Sequence, residues 1–163
     1  MLLLLFVSVT SAAGFDQTLL EEQALGWAAR IYELYAEERF PEVYAHMTFE
    51  IKDRVTEEDY TEYQEYHFRR LHLRITEITV KEASVNPSLP RSLLELVETD
   101  SYDAVVGVVV QYKVSFLVFG LRHEETVDKD VFFLVNEDSD GILQWYLLWD
   151  PSSMEEDAPN VEE

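Results

Sequence analysis

AVVGVVVQYKVSFLVFG, at residues 104–120, is followed by TVDKDVFFLV at residues 126–135 and by ILQWYLLWD at residues 142–150. Each run is rich in β-branched and aromatic residues, and glycine or Asp/Gly turn signals separate the runs. This pattern predicts a three-stranded antiparallel meander. Strands this apolar need a covering layer, because a sheet face of this size is not stable in water.

Three helices are predicted before the meander. Thr18 and Glu21 match a capping box, and an apolar stripe at helical spacing follows as far as Tyr35. Pro41 begins a short second helix, because proline is favoured at the first helical position. Thr56 is expected to cap a third helix, whose first turn is acidic and whose last turn is basic.

The segment after the third helix has the alternation of a strand. Leu73 and Ile75 share one face, whereas Ile78 and Val80 have the opposite parity. A β-bulge at Thr76–Glu77 explains the switch and predicts a bent sheet. The order of elements therefore predicts an α+β domain at residues 15–153, with three N-terminal helices packed on a curved, mostly antiparallel sheet.

The two ends of the chain differ from this domain. Residues 1–14 hold an apolar run followed by small residues, as in a signal peptide, and a buried first strand or helix is the alternative. The leader predicts a secreted or periplasmic protein with no membrane span after its removal. Residues 154–163, MEEDAPNVEE, predict an acidic disordered tail.

Charge and composition exclude several classes of function. The chain has 33 Asp and Glu against 12 Lys and Arg, and a net charge of -21 repels nucleic acids and anionic membrane surfaces. Without cysteine it has no disulfide, thiolate zinc site or thiol nucleophile. Residues 136–141, NEDSDG, match half of an EF-hand loop, but position twelve is Leu147 instead of Glu. We therefore expect an acidic hairpin turn there, and neither a metal nor a cofactor.

The closing sequence WYLLWDPS, at residues 145–152, is the most specific motif of the chain. Together with the order of elements it resembles the nuclear transport factor 2-like superfamily, which includes SnoaL-like and ketosteroid isomerase-like proteins. The motif itself is similar to the W-x-x-x-W-D-x-S close of the domain of this fold at the N-terminus of penicillin-binding transpeptidases. The resemblance implies a cone-shaped fold and a link to the cell envelope. Trp145 and Trp149 share one parity, so both are expected to seal the core between sheet and helices.

Candidate site residues are mostly aromatic. The residues expected to line a cavity are Trp27, Tyr32, Tyr35, Tyr44, Tyr63, His67, Tyr112, Phe116 and Trp145. Tyrosines at helical spacing also suit a core with polar tips at its rim. No catalytic residue is expected. The alternative is a small isomerase, dehydratase or hydrolase in which Asp150 or His67 is the base, although Asp150 suits a turn before Pro151 and His67 a hydrogen-bonded core position.

The sequence thus predicts an exported, non-catalytic module that binds a small apolar ligand or a cell-envelope protein. A homodimer is also expected, because the outer face of the sheet carries Val105, Val109, Leu117 and Phe119. A second apolar face normally marks an interface, and a two-fold pairing is the usual geometry.

Overall fold

The computed structural model describes residues 16–152 and 154, so the predicted leader and the tail beyond Met154 lie outside the described residues. The elements are α1 (Gln17–Ala36), α2 (Phe40–Ala45), α3 (Phe49–Lys52), α4 (Glu57–Leu71), β1 (Arg74–Val85), α5 (Arg91–Leu94), a 3₁₀ turn (Thr99–Ser101), β2 (Ala104–Val118), β3 (Leu121–Glu137) and β4 (Leu143–Leu148). The predicted meander and the α+β class are confirmed.

The sheet is a four-stranded antiparallel meander in the order β1-β2-β3-β4. The register of β1 against β2 shifts between Thr76 and Thr79, where Glu77 has a positive φ of 51°. The predicted bulge is therefore confirmed. A second shift lies between Val80 and Glu82, and the two irregularities curve the sheet around the helices.

Helix α1 begins earlier than its capping box predicts. The N-cap is Asp16, whose carboxylate accepts the Thr18 N–H at 3.0 Å. The prediction of Thr18 as the cap is wrong, because Asp16 offers an equally good cap two residues earlier. Thr56 does cap α4, and its Oγ1 accepts the Asp59 N–H at 3.1 Å.

The core lies between α1 and the inner face of the sheet. Val106, Val108 and Val110 of β2 are buried on this face, and the small side chains of Ala24 and Ala28 let α1 lie close to it. The two closing tryptophans contact the helices as predicted. Trp145 is buried and its Nε1 donates to Gln23 Oε1 on α1 at 3.3 Å. The half-buried Trp149 ring meets the Tyr60 ring of α4 edge-on, with centroids 5.1 Å apart.

The outer face of the sheet is covered at one end by residues 86–103. Val105, Phe132 and Leu134 are all buried within the single chain. A Cβ added at Gly107 would lie 2.9 Å from Cγ of Pro87, so the connection sits directly on β2 at this glycine. The expectation of a fully open outer face is wrong at this end, since residues 86–103 pack over it.

The edge of β4 is also covered. Leu147 N–H donates to the His46 carbonyl at 2.7 Å, and Thr48 N–H donates to the Leu147 carbonyl at 3.2 Å. These two bonds form a parallel bridge between Met47 and Leu147. The segment between α2 and α3 thus takes the place of a fifth strand over a very short length.

Candidate functional site

A cavity of about 680 Å³ lies between α1, α4 and the inner face of the sheet. It exists because the strands have unequal lengths. β4 pairs only with Phe132–Glu137, so within the described part of the chain β3 has no neighbouring strand on that side from Leu121 to Val131. The walls include Asp128 to Phe132 and Trp149 to Asp150, which places part of the cavity at this notch.

Apolar side chains form much of the wall, with a few polar groups among them. The apolar residues include Ile31, Phe68, Leu73, Ile75, Val114 and Val131. The polar side chains include those of Tyr32, Tyr35, Gln64 and Tyr112. Apolar walls with a few polar groups are the usual composition of a small-molecule site.

Three of the predicted tyrosines come together at this cavity. The ring centroids of Tyr32 and Tyr112 are 5.1 Å apart, and those of Tyr32 and Tyr35 are 5.9 Å apart. Burial raises the pKa of each phenol, to about 12 for Tyr35. The three side chains are therefore neutral at physiological pH and act as hydroxyl donors or acceptors.

The hydroxyl of Tyr35 forms a hydrogen bond with that of Tyr60 on α4, and the two oxygens are 2.6 Å apart. This hydrogen bond lowers the pKa of Tyr35 and raises that of Tyr60, and either hydroxyl can be the donor. Tyr60 is fully buried, whereas Tyr35 lines the cavity. When Tyr60 donates this bond, the hydroxyl proton of Tyr35 is left for an acceptor inside the cavity.

Asp150 lies at the rim of the same cavity. Its Oδ1 accepts the Ser152 N–H at 3.0 Å, as expected for a residue that forms the turn before Pro151. Burial raises the pKa of this carboxyl, but hydrogen bonds from Ser92 and Ser152 and the charge of Lys129 lower it by more. The net pKa lies below its usual value, so Asp150 is a weak base.

The other predicted site residues lie away from these walls. The His67 ring lies tilted against the Tyr63 ring on α4, with ring centroids 4.4 Å apart. Trp27 meets His46 edge-on at 5.2 Å, and the Tyr44 hydroxyl donates to the Val55 carbonyl at 2.9 Å. Phe116 stacks on His123 in the hairpin end of β2 and β3 at residues 113–126, which we call the β2–β3 arm, and Trp145 packs against Phe133 in the core.

Several residues of the cavity wall are not among those predicted from the sequence. Gln64 and Phe68 reach the cavity from α4, one turn apart. Lys129 lies in the polar run VDKD and gives little sign of facing a cavity. Trp149 could have been chosen, because it has the parity of Trp145 and lies one step past the end of β4.

The carboxylate of Asp138 stabilises the acidic hairpin turn between β3 and β4. Asp138 Oδ1 accepts the N–H groups of Asp140 and Ile142, both at 2.9 Å. The backbone bond from Ile142 is the largest influence that lowers the pKa of Asp138. Across the described part of the chain, His, Asp and Glu side chains form no group of three that could hold a metal ion.

A scan against models of known protein families gave no match, and a search of curated proteins gave none either. Among residues 16–152 and 154, no helix is both long enough and apolar enough to cross a membrane.

Proposed function

We propose that this chain is a non-catalytic binding domain whose cavity takes a small apolar molecule with a hydrogen-bond acceptor. The observation that carries this proposal is the cavity of about 680 Å³ with apolar walls and three neutral tyrosines. Sites for small molecules have this size and this mixture of groups. The helices on a curved sheet also support the resemblance to the nuclear transport factor 2-like superfamily.

The state of Asp150 favours binding over catalysis. An isomerase, dehydratase or hydrolase needs a base whose pKa is near the working pH. The pKa of Asp150 is lowered, and its carboxylate already accepts hydrogen bonds in the turn. The other candidate base, His67, packs against Tyr63 on α4 instead of lining the cavity.

Two matched probes test the binding proposal. 2-Acetylnaphthalene has a carbonyl acceptor, and 2-isopropenylnaphthalene has the same number of heavy atoms and a similar planar shape without one. Isothermal titration calorimetry should show that the ketone binds roughly three- to tenfold more tightly, which is the range of one net hydrogen bond. Tyr35→Phe should remove this preference, and Tyr66→Phe, on the exposed side of α4, should keep it.

The same titrations test whether the Asp150 carboxylate contributes to binding. Asp150→Asn should leave the affinity for both probes unchanged, because the carboxylate serves the turn. Failure of both probes to bind the wild-type protein would overturn the binding proposal. Equal affinities would instead show that Tyr35 donates no hydrogen bond in the cavity.

The proposed location is outside the cytoplasm, on the basis of the leader sequence. The expected mature protein begins between Ala13 and Gln17, and a cell-envelope protein is a proposed partner. N-terminal sequencing of protein from the secreted or periplasmic fraction tests this. Recovery of the chain only from the cytoplasm, with Met1 intact, would contradict it.

We also propose a homodimer, through the tip of the β2–β3 arm instead of the outer face of the sheet. Phe119 is fully exposed and Leu121 is 66% exposed. Phe119 and Gly120 form the two-residue turn with φ of 51° and 77°, a conformation that suits Asn-Gly far better than Phe-Gly. A bulky residue held in this strained conformation, and fully exposed among the residues that the structure describes, points to a role at a surface.

The charge of the arm favours a second copy of the chain as the partner that binds this tip. Residues 113–126 contain Lys113 and Arg122 against Glu124 and Glu125, so the arm is neutral in a chain of net charge -21. Two copies therefore repel each other less at the arm than elsewhere. A two-fold pairing would bury both Phe119 side chains.

A further inference from the structure

A second concave space lies beside the cavity, at the C-terminal end of α4. It has a volume of about 460 Å³ and collects Arg69 from α4, Arg74 from β1 and Arg122 from β3. The C-cap residue His72 lies in the same wall, together with Glu38 and Glu65. We call this space the arginine cleft.

The arginine cleft adjoins the tyrosine-lined cavity. Phe68 and Leu73 line both spaces, so their side chains form the boundary between the two. A molecule that lies across this boundary would meet apolar and tyrosine groups on one side and guanidinium groups on the other.

The local charge of the cleft is opposite to that of the chain. Its three arginines against two glutamates leave one positive charge, whereas the whole chain has a net charge of -21. Three of the 12 basic residues of the chain are gathered here from three separate elements. This cluster of arginines in an otherwise negatively charged protein favours the binding of an anion in the cleft.

The arginines differ in how far they are already engaged. Arg69 pairs with Glu65 at 2.9 Å. Arg122 Nη1 donates at 2.9 Å to the hydroxyl of Ser115, a neutral acceptor that leaves the positive charge unbalanced. Within the described residues, no ion pair joins Arg74 to a carboxylate. Arg74 and Arg122 are therefore the two guanidinium groups available to an incoming anion.

We infer that the cavity and the cleft together bind an amphipathic monoanion. Its apolar body lies against the tyrosine-lined cavity, and its carboxylate or similar head group lies at Arg74 and Arg122. A planar guanidinium group matches a carboxylate through paired hydrogen bonds, which a neutral head group cannot reproduce. This inference rests on the proposed binding function and adds the chemical class of the bound molecule.

The test compares decanoate with 1-decanol, which have the same chain length and differ in the charge of the head group. Calorimetric titration in about 0.1 M salt should show decanoate binding roughly tenfold more tightly, as expected for a charge-assisted hydrogen bond. The double variant Arg74→Gln/Arg122→Gln should lose this preference and keep its affinity for decanol. Arg30→Gln/Arg54→Gln, which changes the net charge equally outside the cleft, should keep the preference.

The outcomes separate this inference from the function on which it rests. Equal binding of decanoate and decanol by the wild-type protein would overturn the monoanion inference and leave the binding proposal standing. A decanoate preference that survives the Arg74→Gln/Arg122→Gln change would also overturn it. If neither molecule binds, and the naphthalene probes also fail, the binding proposal itself falls. Thermal melting of both double variants should match the wild type, because all four arginines are exposed.

Discussion

The hydroxyl oxygen of Tyr35 on α1 lies 2.6 Å from that of Tyr60 on α4. This bond joins the two longest helices directly beneath the cavity, where burial excludes water from Tyr60. Its geometry therefore serves both the stability of the helical layer and the position of the donor in the cavity.

Tyr60→Phe should lower the free energy of unfolding by about 0.5–1.5 kcal/mol, which is the net value of one hydrogen bond. The same change should raise the pKa of Tyr35 further, because the bond from Tyr60 now lowers it. Urea denaturation and tyrosinate absorbance measure the two effects. Tyr66→Phe is the control at an exposed position and should change stability by less than about 0.5 kcal/mol.

Stability should fall as the pH rises above about 10, where phenols ionise in the unfolded chain. Burial raises the pKa of Tyr32, Tyr35 and Tyr60, so the folded protein keeps these protons when the unfolded chain loses them. Their contribution is complete below about pH 10 and is lost through about pH 12 and beyond. Urea midpoints across this range measure the slope. Tyr32→Phe should make the slope shallower, and an unchanged slope would show that Tyr32 ionises normally.

Gly107→Ala and Gly26→Ala should change stability in opposite directions. A Cβ at Gly107 would lie 2.9 Å from Pro87 and 3.2 Å from Phe132, so alanine should cost about 1–3 kcal/mol. Gly26 lies in α1 with nothing within 4 Å of its added Cβ, and alanine there should add about 0.5–1 kcal/mol. Thermal melting compares the pair. A harmless Gly107→Ala would show that residues 86–103 do not press on β2.

Phe119→Asn should convert the proposed dimer into a monomer and also stabilise the monomer. Asparagine tolerates the positive φ at this turn position and removes the exposed ring. Light scattering and analytical ultracentrifugation measure the mass. Ile142→Asn, at the exposed β3–β4 turn, is the matched control and should leave the dimer intact. A wild-type monomer at all concentrations tested would contradict the dimer proposal.

The bent sheet was predictable because its signal lies in the parity of apolar residues. Ile75 and Ile78 differ in parity, and the structure has a bulge between them. The second shift near Val80 had the same kind of signal, since Val80 and Ala83 also differ in parity. This signal is weaker, because Lys81 and Glu82 between the two residues have the pattern of an ordinary exposed pair.

The cover on the outer face and the cavity were harder to predict. A glycine inside the long strand, Gly107, was the one local sign that another segment lies close to it. The cavity depends on the mismatch between the 17 residues of β3 and the 6 residues of β4. Tyr32, Tyr35 and Tyr112 line this cavity, but periodicity alone could not separate them from the core residue Tyr44. Only the tertiary arrangement makes that distinction.

The short bridge between Met47 and Leu147 has a consequence for behaviour at high concentration. An exposed edge strand offers unpaired N–H and C=O groups to other chains and promotes aggregation into fibrils. Here the His46 carbonyl and the Thr48 N–H occupy those positions on β4. At the opposite edge, the two bulges of β1 interrupt the regular spacing that a templated strand requires. The β1 border and the Leu147 position of the β4 border are thus closed to cross-β growth, and among the described residues the stretch where another strand could add is the unpaired side of β3 from Leu121 to Val131.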